Sequence, residues 1–209
     1  MTDLPSRGPL ARKARVPTFP VLDTERLHLR ALTDDDAPWY LEQFSRPETI
    51  EGQGYAPPDG IPGAIEEMRE YGTVPFEEAR GVRWAICLRG ADGTPEPTPI
   101  GTCALLDWED DPISKAELGY SLDPAHWGLG YVSEAIAAIQ RFGFDVMGLD
   151  RIEALVWEHN ERSIKVLERL GYRRDALLLD SHRDPTGALR NEWRYVLEAT
   201  SSSMTRPGT

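Results

Sequence analysis

The chain has 209 residues, 23 lysines and arginines against 35 aspartates and glutamates, and 40% hydrophobic residues, for a formal net charge of −12. This is enough apolar material for one sizeable domain, whereas no window approaches the ~18 consecutive apolar residues of a membrane helix and no apolar run near the N-terminus precedes a cleavage-like site. The acidic balance repels nucleic-acid backbones and favours an amine-bearing partner, although an acidic surface also simply keeps a protein in solution. Cys87 and Cys103 both sit inside apolar runs, the pattern of buried free thiols in a reducing cytoplasm rather than of a disulfide framework or a zinc site.

The first seventeen residues carry Arg7, Arg12, Lys13 and Arg15 against Asp3 alone, among Pro, Ser and Gly without apolar period. They read as part of a disordered basic leader over 1–20, ahead of a domain over 21–199 and a frayed tail over 200–209. Leu27, Leu29 and Ala31 alternate with Arg26, His28 and Arg30, the period of a half-buried strand. Thr33 with its following acids caps a helix through Trp39, Tyr40 and Phe44, and a Gly/Pro loop over 52–60 leads to a second helix over 62–71. Strands are predicted over 82–88 and 100–106, forming a hairpin across Asp92-Gly93.

Over Lys115–Leu122 the apolar Leu118, Tyr120 and Leu122 share one face, and Glu117, Gly119 and Ser121 the other. A mid-strand carboxylate is unusual there. From Gly130 the period becomes helical through Val132, Ala135, Ile136, Ile139 and Phe142, with Gly148 closing the segment. Residues 151–157 are apolar on both faces, as in an inner strand covered on two sides. Asn160 caps a short helix ended by Gly171, and strands over 176–179 and 193–197 flank a turn at Asp184-Pro-Thr-Gly187. One α+β domain results, a mixed sheet of six to seven strands with helices on both faces.

Between the strand ending at Leu122 and the helix beginning near Gly130 lies Ala125-His-Trp-Gly-Leu-Gly-Tyr-Val-Ser-Glu134. Two glycines at a strand-to-helix junction let a ligand approach the backbone, and the unpaired first-turn amides suit a phosphate or pyrophosphate. An ordinary tight turn would have the same composition. The segment has neither the Lys-Ser/Thr of a P-loop nor the third glycine and distant acid of a dinucleotide fingerprint.

The ordered set Leu22-Asp-Thr-Glu-Arg-Leu-His-Leu-Arg30, Trp127-Gly-Leu-Gly-Tyr-Val-Ser-Glu-Ala135, Asn160-Glu-Arg-Ser-Ile-Lys-Val-Leu-Glu-Arg-Leu-Gly-Tyr172 and Asn191-Glu-Trp-Arg-Tyr-Val-Leu197 resembles the GNAT superfamily of acyl-CoA-dependent N-acetyltransferases. It is most similar to the ribosomal-protein-alanine N-acetyltransferase-like branch. The resemblance implies acetyl-CoA as co-substrate, no metal, and transfer of an acetyl group to a primary amine on a protein N-terminus or a small molecule. It also implies a family in which dimers are frequent.

Carried over by resemblance, the amides of His126, Trp127, Gly128, Leu129, Gly130 and Tyr131 cradle the pyrophosphate, and the Ser133 hydroxyl either adds a hydrogen bond or is a plain surface group. Main-chain groups near Leu118 and Tyr120 polarise the thioester carbonyl, with Gly119 permitting a bulge. Glu117 becomes the base that takes the amine proton, unless it is an exposed or arginine-paired glutamate. Asn160 contacts the pantetheine or the intermediate, or serves as helix cap, or both. Ala125 stands where the family usually has Gln or Arg, and Leu167 where many members have a proton-donating tyrosine; Ser163 matches a serine of the ribosomal-protein branch and donates to the departing thiolate directly or through water. Trp39, Tyr40, Tyr55 and Trp84 are the candidates for the acceptor pocket, Tyr55 in its Pro/Gly loop the strongest, whereas the helix and strand positions of Trp39 and Trp84 favour core packing. Arg162 and Lys165 either meet the CoA phosphates or are simply solvated helix charges. The two departures also leave open a non-catalytic acyl-CoA-binding module. His28, His126, His159 and His182 have no ligand-like spacing.

Overall fold

Strict alternation over Leu27–Arg30 buries Leu27 and Leu29 completely, and the same period repeated along the chain builds one sheet. The computed structural model describes residues 8–53 and 56–199. Its strands are β1 (Leu22–Asp23), β2 (Leu27–Arg30), β3 (Val82–Arg89), β4 (Pro95–Glu109), β5 (Lys115–Leu122), β6 (Arg151–Trp157), β7 (Arg173–Arg183) and β8 (Leu189–Glu198). They form one eight-stranded sheet in the order β1-β2-β3-β4-β5-β6-β8-β7, antiparallel except for the parallel pair β5–β6. The strand beyond the expected seven is the two-residue β1, too short to show a period. The β3–β4 hairpin turns where Gly93 takes φ 81° and Asp92 accepts a hydrogen bond from the Thr94 amide at 2.9 Å.

The helices are α1 (Pro9–Arg15), α2 (Ala37–Phe44), α3 (Pro47–Gln53), α4 (Gly60–Met68), α5 (Val74–Glu77), α6 (Tyr131–Phe142) and α7 (Glu161–Arg169). Period 2 along β5 sends successive side chains to opposite faces, and the two faces have different covers. Leu118 and Leu122 join the large core with Ala135, Ile136, Ile139 and Phe142 of α6 and Leu167 of α7. Ser121 instead accepts a 3.1 Å hydrogen bond from Gln43 of α2, and α2 packs with α4 around Ala37, Tyr40, Ala64 and Met68. Gly143, just past α6, allows that segment to lie on the sheet: a Cβ there would come within 2.9 Å of a Leu105 methyl.

The structure corrects three sequence expectations. The leader is helical from Pro9, because Arg12 is drawn into the body, its Nε donating to the Ala79 carbonyl at 2.8 Å and its Nη1 lying 3.5 Å from Asp110. Residues 1–7 and 200–209 lie outside the described residues. No register break occurs at Gly119, since β5 pairs with β4 residue by residue from Gly101–Leu122 to Leu106–Glu117, and the irregularity falls between Leu106 and Glu109, where Asp107 takes φ 50°. β6 is covered fully on one face only: Ile152, Ala154 and Val156 are buried, while Leu155 is 37% exposed. The cause is an opening beside β5.

Candidate active site

β5 and β6 pair only over Lys115–Arg151, Ala116–Ile152 and Glu117–Glu153. Beyond Glu117 they part, so Leu118 to Leu122 are paired with β4 on one side alone. The parting opens a cleft of about 1330 Å³ lined by both strands, the loop after β5, the start of α7 and the α3 segment. That volume exceeds the ~300–1,000 Å³ of most ligand sites. Alternate main-chain groups on the free edge of β5 face it, a ready edge for an extended ligand.

At the far end of β5 the chain passes through a 3₁₀ turn at Pro124–His126 into the glycine loop. Gly128 and Gly130 hold φ of 78° and 81°, and Gly130 is the α6 N-cap without a capping side chain. A Cβ built on Gly128 would meet nothing within 4 Å. The cradle is shorter than expected: the His126 amide donates to Asp123 O at 2.9 Å and the Trp127 amide to Pro124 O at 3.2 Å, so both are already spent. The open amides belong to the Gly128–Gly130 turn and the first turn of α6, which includes Tyr131 and Ser133.

The loop is pinned from β2's approach. Glu134, in the first turn of α6, accepts from Thr24 Oγ1 at 2.6 Å, from the Arg26 amide at 2.9 Å and from Arg26 Nε at 2.7 Å. Burial opposes its ionisation, but these hydrogen bonds outweigh burial and hold the carboxyl below its ordinary range. Arg26 also donates to the Leu129 carbonyl at 3.0 Å and covers the Tyr131 ring. On the other side, the Trp127 indole donates to Leu122 O at 2.9 Å and carries the Arg162 guanidinium 3.6 Å above its ring. Arg162 is therefore fixed at the mouth of the cleft, whereas Lys165 is exposed and paired with Glu161 at 3.2 Å.

Glu117 stands where the strands part, on the same face as Ser121. Burial pushes its carboxyl up to about 7, helped by the nearby charges of Asp107, Glu192 and Glu153 and opposed by Lys115. Among the described residues no cation forms an ion pair with it; Lys115 instead pairs with Glu109 at 3.6 Å and Glu153 at 3.7 Å. The same cleft is lined by Glu67, Glu70, Asp107 and Glu192. Arg80 and Arg83 line it as well, so the wall carries both signs with acids in excess.

Asn160 caps α7: its Oδ1 accepts from the Ser163 amide at 3.1 Å, and its Nδ2 reaches Gly52 O at 3.4 Å. Both ends of the amide are thus committed to positioning α7 against α3. Ser163, one turn into α7, lies 2.5 Å from the Tyr120 hydroxyl. Leu167 is 1% exposed and packs in the core, and it also lines the cleft, where it offers no proton donor. The Tyr120 hydroxyl was missed by sequence reasoning, which used only its main chain; the alternation of β5 placed it on the α7 side but gave no signal of what it would meet.

The aromatic candidates separate. Trp84 is wholly buried, donates to Pro20 O at 2.6 Å and packs edge-on against Phe142. It belongs to the core, because the inward face of β3 lies under α6, and it is corrected from the acceptor pocket. Trp39 lines a separate, smaller cavity of about 300 Å³ with Gln43 and Arg46, and its α2 neighbour Tyr40 is the one that faces the cleft. Tyr55 lies outside the described residues. Cys87 and Cys103 are free and buried. Among the described residues no helix is long and apolar enough to cross a membrane, and no group of three or more His, Cys, Asp or Glu could hold a metal ion.

Comparison with known proteins agrees with this geometry. Residues 26–173 match the family described as acetyltransferase (GNAT) domain. YoaA of Bacillus subtilis, described as an N-acetyltransferase, is 35% identical over 77% of this chain and 86% of its own length. The [ribosomal protein uS5]-alanine N-acetyltransferase of Escherichia coli is 28% identical over 90% of this chain and 93% of its own. The ribosomal-protein-S5-alanine acetyltransferase of Vibrio fischeri has a similar fold, with TM-score 0.73, 18% identity and coverage of 87% of this chain and 98% of that one. So does Mycobacterium smegmatis RimJ, solved in complex with CoA-disulfide, with TM-score 0.73, 19% identity and coverage of 86% and 84%.

Proposed function

The chain belongs to the acetyltransferase (GNAT) domain family and is an N-acetyltransferase, and on that premise we propose that it moves an acetyl group from acetyl-CoA to a cationic primary amine by direct attack on the thioester. The parting of β5 from β6 beside an open glycine turn, with unpaired Glu117 at the point of parting, is the observation that carries this reading. The residues fit the co-substrate: Gly128 and Gly130 leave room where a Cβ would stand, and the first-turn amides of α6, including those of Tyr131 and Ser133, offer donors and a positive dipole end to a pyrophosphate. The free edge of β5 is suited to hold the pantetheine arm extended.

An acceptor amine arrives mostly as ammonium, with a pKa of ~8 for an N-terminus and ~10 for lysine. Glu117, with a carboxyl that titrates at about 7, takes its proton directly or through water. A main-chain N–H between Leu118 and Tyr120 stabilises the oxyanion, and the Ser163 hydroxyl faces the leaving sulfur. Asn160 holds the start of α7 in place for this. The excess of acids in the lining, Glu67, Glu70, Asp107 and Glu192 against Arg80 and Arg83, favours a positively charged acceptor, such as a basic peptide N-terminus or a polyamine.

The test is an acetylation screen over peptides with basic, neutral and acidic N-terminal sequences, polyamines and aminoglycosides, read as CoA thiol released. Turnover is expected with the cationic acceptors, with KM rising as salt is added. Tight acetyl-CoA binding without thiol release on any amine identifies a non-catalytic acyl-CoA-binding module instead.

A further inference from the structure

We infer that Tyr120 is a positioning residue for the leaving group: its hydroxyl donates to Ser163 Oγ and so turns the serine's own hydrogen toward the sulfur of the departing CoA. The inference rests on the acyl-transfer reading above and gives a part to the Tyr120 hydroxyl, which that reading does not use.

Three observations carry it. The two hydroxyl oxygens are 2.5 Å apart, closer than the Tyr120 hydroxyl lies to the Ser163 carbonyl, at 3.4 Å. The Ser163 amide is already bound by Asn160, so the first turn of α7 cannot rotate Ser163 away without losing its cap. The pair also faces the cleft from the α7 side of β5, opposite the face that carries Glu117. The two proton tasks are thereby kept apart: amine deprotonation on one face of the opening and thiolate stabilisation on the other.

A phenol has one hydrogen to give, whereas a serine hydroxyl can accept and donate at once. If Tyr120 donates, Ser163 Oγ is an acceptor toward it and its hydrogen must point elsewhere, into the cleft. A hydroxyl that accepts one hydrogen bond is also a stronger donor in the next. Burial pushes the Tyr120 hydroxyl up to about 12, so it keeps its hydrogen throughout the working pH range. No proton has to leave either hydroxyl. Glu117 passes the ammonium proton on to water before attack; as the C–S bond of the tetrahedral intermediate then breaks, its electron pair goes to sulfur, the second nitrogen proton goes to Glu117, and CoA departs as a thiolate that the Ser163 O–H stabilises until water protonates it. A thiol pKa of ~8.5 makes that charge bearable near neutral pH.

The test compares Tyr120→Phe, Ser163→Ala and the double variant in single-turnover acetylation of the best amine from the screen, with CoA affinity by calorimetry and folding by thermal melt. Tyr120→Phe should slow the single-turnover rate roughly five- to tenfold, the scale of one lost neutral hydrogen bond. CoA affinity should stay within about twofold of wild type. The double variant should be no slower than Ser163→Ala, because Tyr120 acts through Ser163. A wild-type rate for Tyr120→Phe, a matching loss of CoA affinity, or losses that multiply in the double variant overturn the inference. Should Tyr120→Phe melt early, 3-fluorotyrosine at position 120 preserves the packing and strengthens the donor; a faster rate supports the role, and an unchanged or slower one overturns it. If wild type releases no thiol with any amine, the acyl-transfer reading itself has failed, a result distinct from all of these.

Discussion

Glu117 and Glu153 are direct neighbours across the parallel pair β5–β6, and their electrostatic surroundings differ completely. Glu153 is flanked by Arg151 at 3.3 Å and Lys115 at 3.7 Å. Glu117, one strand over, has no such partner among the described residues and faces Asp107 and Glu192 besides Glu153. A carboxylate that is half-buried, surrounded by its own sign of charge and unpaired is a group prepared to hold a proton near neutrality.

From this follows a pH dependence. The rate at saturating substrates should rise with pH through about 7 as Glu117 loses its proton and then level off. Glu117→Gln should lower the plateau by ~10²–10⁴-fold and abolish that limb. Steady-state rates from pH 5.5 to 9 check it; a glutamine variant with normal turnover across the range removes Glu117 from the mechanism.

The same residue should cost stability. Its folded pKa is raised above the unfolded value, so from roughly pH 4.5 to 7 the unfolded chain gives up a proton that the folded protein retains, and stability falls as pH rises. Glu117→Gln is therefore expected to gain on the order of 1–2 kcal/mol relative to wild type at pH 8, and little at pH 4.5. Paired urea titrations at the two pH values decide the sign.

Gly128 supplies a conformation as well as space. With φ at 78°, an alanine there costs about 1 kcal/mol of backbone strain, which in a domain of this size lowers Tm by roughly 2–4 °C. The added Cβ would enter space that is open within 4 Å beside the proposed anion cradle, so acetyl-CoA affinity should fall at least ~10-fold. Calorimetry on Gly128→Ala separates the two effects, since the affinity loss should exceed what the small stability loss accounts for.

Glu134 holds the cradle without touching it. Arg26 is too exposed for its charge pair to count for much by itself, but the Thr24 and Arg26 hydrogen bonds fix where α6 begins. Glu134→Gln should weaken CoA binding by roughly 3–10-fold while leaving the saturated rate near wild type. A drop in the saturated rate with unchanged affinity contradicts this assignment.

Much of the fold was legible because its elements are amphipathic. The period-2 runs at Leu27–Arg30 and Lys115–Leu122 and the helical period from Val132 to Phe142 each have one apolar face and can be solved locally. The readings that changed concern residues whose role depends on what lies across from them. Arg12 looked like part of a basic leader until Asp110 and the Ala79 carbonyl were found facing it. Trp84 looked like a pocket aromatic until Phe142 and Pro20 covered it. β7, an edge strand with a largely exposed side-chain pattern and two register shifts, extended well past its short apolar core because edge strands need no alternating burial.

The chain by itself determined the strands and helices, the left-handed turn at Gly128-Leu-Gly130 and the presence of a carboxylate in the middle of β5, since steric limits and hydrophobic period act over a few residues. Only the tertiary structure decided that Glu153 is paired with cations while Glu117 is left among acids, that the amides of His126 and Trp127 are already taken, and that Tyr120 meets Ser163 across 43 residues of sequence. Hydrogen bonding and desolvation depend on which faces the packed sheet brings together, and no local pattern encodes that pairing.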